Sequence, residues 1–486
     1  MDVSDLAPET VDSIDRIARA YVDDRKTPGI AYGVVHGGRL LHAGGFGETG
    51  RDHRLPDRHS VFRIASMTKS FTAAAVLMLR DEGALALDEP VSTYVPAVAD
   101  IALPTGDAPP LTLRLLLTMS AGFPTDDPWA DRQESMTAEE FEALLRAGPR
   151  FAGVPGTDYR YSNLSYAIIG RAVSNVSGQS FQRFVTDRFL GPMGLQSSCF
   201  SSDEVAIEHL VIGHRRSGDD WSAVPFDRPG EFSPIGGLYS SVADLAIWIS
   251  GFIDASRGST VEDRHPLSAH SRREMQQAHR LSDVSTTTVD GAPHALAKAY
   301  GMGLTLERHT AWGDVVAHSG GYPGFGSNMR WHTASGFGII ALANATYAAP
   351  GIAAAAMLQE ILGHGAARTR PPVAWPEIAT MRAAVERLLV EWDDDVADDV
   401  FAMNMDLDQP RAERRQHVRN VRARLGDIDV TAPADEDRES PAALAWTVTG
   451  TGGAVRIEMS LSPEPSPKIQ SLDVRFVEPA PTAERP

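Results

Sequence analysis

β-forming sequence stands at both ends of the first 360 or so residues and helical sequence fills the middle, and this arrangement restricts the folds open to the chain. "PGIAYGVVHGGRLLHAGGFGETG" (28–50) holds two β-rich stretches around His-Gly-Gly-Arg, a turn signal, and reads as a β-hairpin. From Trp312 onward, "DVVAHSGGYPGFGSNMRWHTASGFGIIALANA" is rich in β-formers and broken by glycine; it reads as three short strands. Between them the period is helical. Val11, Ile14, Ile17, Ala18 and Tyr21 share one face. Phe71 to Leu79 continues as a helix with Gly83 as its stop, and "YSNLSYAIIGRAVSNVSG" stops at Gly178. "LTLRLLLTMSAGFP" is a helix ending in a Gly/Pro loop. "GGLYSSVADLAIWISGF" offers a serine N-cap before its helix, and "PGIAAAAMLQEILGH" closes the region with another. A sheet is expected that draws its strands from both ends of one domain.

The expected boundaries are a domain over 1–365, a linker over 366–376 and a small α+β domain over 377–486. The linker rests on the Pro and Arg content of "GAARTRPPVAWPE". The second domain shows helical periodicity near 379–402 and 410–425, then alternating stretches at 427–433, 443–449, 454–461 and 469–477. The formal charge of -19, with no basic stripe, argues against nucleic acid and anionic membranes as partners. No run of 18 apolar residues is present, so no membrane span is expected. "MDVSDLAPETVDSIDRIARAYV" lacks the basic and apolar regions of a signal peptide, and the expected location is the cytoplasm. Cys199 is the single cysteine, so an intrachain disulfide is excluded. Neither His-Glu-x-x-His nor paired Cys-x-x-Cys occurs, and no metal or other cofactor is expected. The acidic stretches Asp393–Asp395 and "ADEDRE" (434–439) read as solvated surface.

"RIASMTKSFTAAAVLML" (63–79) places Ser66 and Lys69 three apart where an apolar helix begins, hence on one helix face. The positive helix end and burial lower the lysine pKa and favour negative charge on the serine. A neutral lysine is a competent base for a serine nucleophile. A chain of average composition and this length holds roughly one accidental Ser-x-x-Lys. Here only four lysines are present (Lys26, Lys69, Lys298, Lys468) among 45 basic residues. Arginine supplies the surface charge, and arginine cannot give up its proton. Lysine at position 69 is therefore informative. "RYSNLSYAIIG" sets Tyr161 and Asn163 two apart: a phenol able to shuttle a proton and an amide able to hold a carbonyl. "AHSGGYPGFG" sets His318 before a glycine pair, where a substrate can approach the backbone. Taken singly, the last two read as a capping loop and a hairpin.

Ser66-x-x-Lys69, Tyr161-Ser-Asn163 and His318-Ser-Gly320, in that order, resemble the penicillin-recognising serine hydrolases. The group resembled includes class C β-lactamases, D-Ala-D-Ala carboxypeptidases, D-aminopeptidases, esterases and acyltransferases. The resemblance covers about residues 10 to 362. It implies an α+β fold: an antiparallel sheet flanked by helices, beside an all-helical lobe, with the site between them. It implies Ser66 as the acylated nucleophile, Lys69 as base, Tyr161 as proton carrier and Asn163 as the group orienting Lys69 and the substrate. It also implies His318 at the third motif, backbone N–H groups of Ser66 and Gly321 as the oxyanion hole, and Phe123, Ser319 and Gly320 as substrate-binding. The chain departs from the β-lactamase pattern in carrying His-Ser-Gly where those enzymes have Lys-Thr-Gly. A mostly neutral histidine is a poor anchor for a carboxylate. The expectation is a serine hydrolase acting on a small ester or a peptide amide. A thioesterase or acyltransferase that cyclises or releases a peptide is the alternative, and a β-lactamase or D-Ala-D-Ala carboxypeptidase the second. The expected partner is a small-molecule or peptide substrate.

Overall fold

The computed structural model of the protein describes residues 6–477 apart from 25, 51–52, 219, 258–262, 264, 290, 364–372 and 430–435. The chain divides into two compact units, Met1–Arg368 and Thr369–Pro486.

The first unit opens with α1 (Pro8–Asp23), followed by the hairpin of β1 (Gly29–His36) and β2 (Arg39–Gly47). Gly37 and Gly38 form its two-residue turn at φ +56° and +73°, the left-handed values that match the twist of the flanking strands. The main helices that follow are α2 (Thr68–Asp81), α3 (Asn163–Ser177) and α4 (Val242–Arg257). The chain then runs through β3 (Arg280–Val289), β4 (Ala292–Tyr300), β5 (Thr305–His309), β6 (Gly313–Tyr322), β7 (Phe325–His332) and β8 (Gly338–Ala343), and ends in α5 (Gly351–Ile361). These strands form one antiparallel sheet in the order β2-β1-β8-β7-β6-β5-β4-β3. The expected assembly from both ends is therefore found, with Ile30 of β1 paired to Ala343 of β8.

Alternation along the central strands assigns each side chain to a layer. In β1, Ala31 and Val35 join the core shared with the helical lobe, whereas Ile30, Tyr32 and Val34 join the core under α1 and α5. In β8, Ile340 and Leu342 face the lobe, and Ile339, Ala341 and Ala343 face the opposite layer. Strands buried on both faces read as continuous apolar runs, as "GIIALA" does. α4 locks onto α2 through Trp248, whose ring stacks on Phe71 at 3.7 Å and whose Nε1 donates to Ser70 Oγ at 3.1 Å.

Two stretches of the first unit differ from expectation. β3, β4 and β5 extend the sheet over 280–309, a stretch without a clear period in sequence; the Asp290–Gly291 pair was the available hairpin signal, and Gly291 adopts φ +78°. The helix expected over 111–124 shortens to Leu113–Leu117. Met119 enters the left-handed region at φ +54°, and its Sδ receives the Ser162 N–H at 3.3 Å. Met119 thus props the Tyr161–Asn163 segment instead of extending a helix.

The second unit has its own core, centred on Trp446, Ile457, Leu425 and Leu389. α6 (Glu377–Val390) and α7 (Arg411–Leu425) pack on an open antiparallel sheet of β9 (Ile428–Asp429), β10 (Ala443–Gly450), β11 (Gly453–Leu461) and β12 (Ile469–Val477), in that order. The helix expected over 379–402 breaks after Val390, and Asp393 caps a new helix, Asp394–Val400, through the Asp395 N–H at 3.0 Å. Of the linker expected at 366–376, residues 366–372 lie outside the described residues, while Trp375 N–H bonds Pro441 O at 2.9 Å inside the second unit. The strand expected at 427–433 is seen at Ile428–Asp429, with 430–433 outside the described residues. Among the described residues no helix is long and apolar enough to cross a membrane.

Candidate active site

Ser66 sits on a single 3₁₀ turn, Ala65–Met67, that runs into α2; the regular helix starts at Thr68, two residues after the expected start, and the three-residue spacing to Lys69 keeps both side chains on one face. Ala65 holds φ +48°, a conformation that L residues adopt only when their surroundings impose it. The surroundings here are specific. Ile64 O accepts from Ser327 Oγ at 2.6 Å, and Ile64 N donates to Leu238 O at 2.9 Å. Gly320 of β6 presses against the same turn: a Cβ there would meet Ser327 Oγ at 2.3 Å, Ile64 O at 2.4 Å and Ala65 Cβ at 2.9 Å. Glycine at this position lets the strand lie against the turn that carries Ser66.

Lys69 is fully buried, and its Nζ stands 2.9 Å from Ser66 Oγ, 2.6 Å from Asn163 Oδ1 and 2.8 Å from Ile235 O. Two of these three partners are pure acceptors. When the amine is neutral, its two N–H bonds are committed to Asn163 and Ile235, and the lone pair is left to face the Ser66 hydroxyl. Burial brings the Lys69 pKa down to about 8, while the charges of Asp127, Asp131 and Asp126 oppose the fall. The neutral form is thus populated near physiological pH.

Asn163 is oriented from behind. Its Nδ2 donates to Asp127 Oδ1 at 2.6 Å, which turns Oδ1 toward Lys69. Asp126 takes the backbone N–H groups of Asn163 and Leu164 at 2.7 and 2.9 Å, and Ser162 Oγ takes that of Ser165 at 3.3 Å, so the start of α3 is satisfied by side chains. Tyr161 lines the same cleft as Ser66, and its ring centroid lies 5.0 Å from Lys69 Nζ. Burial, then the charge of Asp127, pushes the Tyr161 pKa far above 10, so the phenol keeps its proton at neutral pH.

β6 pairs with β5 only as far as Ala317, whose carbonyl accepts from Thr305 Oγ1 at 2.7 Å. Backbone N–H and C=O groups alternate sides along a strand, so Ser319 and Gly321 face the same edge, here free of β5 and beside Ser66. Gly321 and Ser66 line the same cleft, and their N–H groups, the latter in a first turn without an intrahelical acceptor, are the candidate oxyanion donors. His318 is buried, with Nδ1 2.7 Å from Ser319 O and Nε2 3.2 Å from Tyr300 Oη. A carbonyl beside Nδ1 requires the proton on Nδ1, and Nε2 accepts from Tyr300. Burial, reinforced by the charge of Lys69, brings the His318 pKa down to about 3, so the ring is neutral. Ser319 Oγ accepts from Asn328 Nδ2 at 2.9 Å.

Ser66, Tyr161, His318, Ser319, Gly320 and Gly321 all line one cleft of about 840 Å³, with Lys69 and Asn163 directly behind them. Phe123 is not brought to this cleft. It is buried in the lobe and stacked on Phe151 at 4.8 Å, because Gly122 turns the chain inward at φ +84°.

A family model described as Beta-lactamase matches residues 14–363. The chain belongs to the beta-lactamase family. Protein flp of Staphylococcus aureus (strain COL) is 27% identical over 348 residues, which are 70% of this chain and 64% of that protein. The D-alanyl-D-alanine-carboxypeptidase/endopeptidase AmpH of Escherichia coli (strain K12) is 26% identical over 249 residues, 50% of this chain and 62% of that protein. The chain thus spans less than two thirds of the length of these curated relatives. The octameric penicillin-binding protein homologue from Pyrococcus abyssi shares the fold, with a TM-score of 0.62 at 21% identity over 96% of this chain and 98% of that one.

In this member of the beta-lactamase family, sequence reasoning missed the groups behind the motifs: Asp126, Asp127, Asp131, Tyr300, Tyr347 and the Ile235 carbonyl. "TDDPWAD" (125–131) was the available signal for the first three. Tyr161→Phe tests the proton carrier. The expected result is a fall in kcat of about 100-fold or more with little change in KM, measured by steady-state kinetics on an ester. A variant with wild-type kcat removes Tyr161 from the proton path.

Proposed function

We propose that the protein is a serine hydrolase that forms a covalent acyl-enzyme on Ser66 from a small ester or a peptide amide. One observation carries this reading: Asn163 and Ile235 occupy both N–H bonds of neutral Lys69, so its lone pair is directed at Ser66 Oγ 2.9 Å away. Lys69 Nζ removes the Ser66 proton as Oγ attacks the substrate carbonyl carbon. The resulting oxyanion faces the N–H groups of Ser66 and Gly321. Collapse breaks the bond to the leaving group, which takes the Tyr161 proton, and Lys69 returns a proton to Tyr161. Water then attacks the acyl carbon with the same groups in reverse, releasing the acid.

Membership of the beta-lactamase family supports hydrolysis, and AmpH, named a carboxypeptidase and endopeptidase, supports an amide bond among the substrates. The neutral His318 counts against a substrate anchored by its carboxylate at the third motif, and so against β-lactams and C-terminal D-Ala. The test is a panel of nitrocefin, short p-nitrophenyl esters and D- and L-amino-acid amides, with intact-mass detection of the acyl-enzyme. The expected result is faster turnover of esters or amides than of nitrocefin, with the mass increment mapped to the Ser66 peptide. Nitrocefin as the best substrate, or acylation elsewhere, overturns the reading.

A further inference from the structure

The cleft continues past Ser66 onto the face of the sheet turned toward α5. Val315 of β6 and Leu358 of α5 both line it, and both belong to the core of that layer. Alternation places Arg330 of β7, in register with Ala317, on the same face. At ~3.3 Å per residue, Ala317 stands about 13 Å along β6 from Gly321. Three strands build a polar cluster here: Lys298 of β4, Glu307 and His309 of β5, and Arg330 all line the cleft, with Lys298 in register with Glu307.

Arg330 has unused hydrogen-bonding capacity. Its side chain is only 11% exposed. Nε donates to Asn328 Oδ1 at 3.1 Å, and Asn328 is itself fixed by its Nδ2 bond to Ser319 Oγ at 2.9 Å. Among the described residues neither Nη has a hydrogen-bond acceptor; Glu307 Oε2 stands 3.9 Å from Nη1, too far for one. Burial draws the Arg330 pKa below its usual value, and the charge of Glu307 offsets only part of that fall. A guanidinium still keeps its proton, so this is a nearly buried charge with an open fork. His309 repeats the pattern. Its side chain is 9% exposed, its Nε2 lies 3.5 Å from Glu307 Oε2, and its ring is held against Trp312 at 5.0 Å. Its Nδ1 is buried with no hydrogen-bond partner among the described residues. Buried polar groups are nearly always paired, and a group left open costs free energy that a ligand recovers by pairing it.

We infer that this end of the cleft is a subsite for a carboxylate carried on an apolar stem, with the Nη fork of Arg330 taking the two carboxylate oxygens and the stem lying along Val315 and Leu358. A carboxylate fits the planar fork with two parallel hydrogen bonds. Lys298 and Arg330 set against Glu307 leave one positive charge in excess, which a monoanion neutralises. A dianion would meet the Glu307 carboxylate. His309, when protonated, donates from Nε2 to Glu307 and has Nδ1–H left for the ligand. The carboxylate belongs either to the far end of an acyl substrate that reaches Ser66 or to a separate fatty-acid-like ligand; the chemistry that holds it is the same. The subsite goes beyond the hydrolase reading, and its binding test makes no use of Ser66.

The experiment uses the full-length protein. Calorimetric titration with octanoate, and with 1-octanol as the neutral control, is expected to give a Kd for octanoate at least about 10-fold lower. Arg330→Gln is expected to bring octanoate to the octanol level, a loss of about 10-fold. Lys298→Gln removes a half-buried charge and should weaken octanoate about 3-fold, which keeps a readout if Arg330→Gln melts early. A kinetic arm compares p-nitrophenyl octanoate with the mono-p-nitrophenyl ester of octanedioic acid. A kcat/KM advantage of about 10-fold for the half-ester, lost in Arg330→Gln, assigns the carboxylate to the substrate. Equal turnover of the two esters, with octanoate binding that depends on Arg330, assigns it to a separate ligand. Octanoate that binds no better than octanol, or that binds both variants as it binds the parent, overturns the subsite. Binding through Arg330 with neither ester hydrolysed overturns the hydrolase reading and leaves the subsite standing.

Discussion

Ser66→Ala is expected to abolish turnover and covalent labelling together, a loss of about 10⁴-fold or more in kcat. The reason is local. The substitution removes one oxygen whose partner is Lys69 Nζ, and it leaves the strained turn at Ala65 and its anchors at Ser327 and Leu238 in place. The variant should fold like the parent and bind substrate, because the Gly321 N–H and the cleft wall are untouched. Thermal melts, probe labelling and single-turnover kinetics measured side by side check all three statements. Retained labelling on another serine would sink the assignment of the nucleophile.

Lys69→Arg carries the next largest effect and separates charge from chemistry. Arginine keeps the positive charge but cannot deliver a lone pair to Ser66, so kcat/KM should fall by about 10²- to 10⁴-fold. Lys69→Ala should fall as far, and it also orphans Asn163 Oδ1 and Ile235 O in the core, so its stability is to be measured alongside. The pH dependence follows from direction. Burial brings the Lys69 pKa down to about 8, and the neutral amine is the active form. Acylation should rise about tenfold per pH unit below that value and level off above it. The arginine variant should lose this rise. Full activity in Lys69→Arg, or a parent rate that falls as pH rises through 8, would exclude Lys69 as the base.

The residues proposed to do chemistry were readable because each sits in a short local pattern: Ser66 and Lys69 one helical turn apart, Tyr161 and Asn163 in one loop, His318 before Gly320 and Gly321. The residues that set up the chemistry were not. Asp126, Asp127 and Asp131 look like a solvated acidic loop, and they become partners of α3, Asn163 and Tyr347 only when distant segments pack. His318 was expected to be mostly neutral near pH 7; burial, then the charge of Lys69, carries its pKa far below that, which the sequence did not show. In the fold, central strands such as β8 announce themselves as apolar runs, whereas β3 is largely exposed and built of Ser, Thr and Asp, so neither period nor composition marks it. Phe123 was placed at the substrate by the motif context, but an aromatic partner, Phe151, holds it inside the lobe.

The pairing of Ile30 with Ala343 has a consequence for the order of events at the ribosome. Closing a loop of this length costs on the order of 5 kcal/mol in chain entropy, and the partner strand must first exist. At typical rates of synthesis β1 waits on the order of tens of seconds for β8 to emerge. During that interval the hairpin of β1 and β2 exposes an apolar edge that only the completed chain covers, a state in which chaperone capture and misassembly compete with folding. β6, which brings His318 and Gly321 to the cleft lined by Ser66, is made long after Ser66 and Lys69. A nascent chain therefore carries the proposed nucleophile and base well before the proposed oxyanion donor Gly321, so reactivity is expected only once its last strands dock.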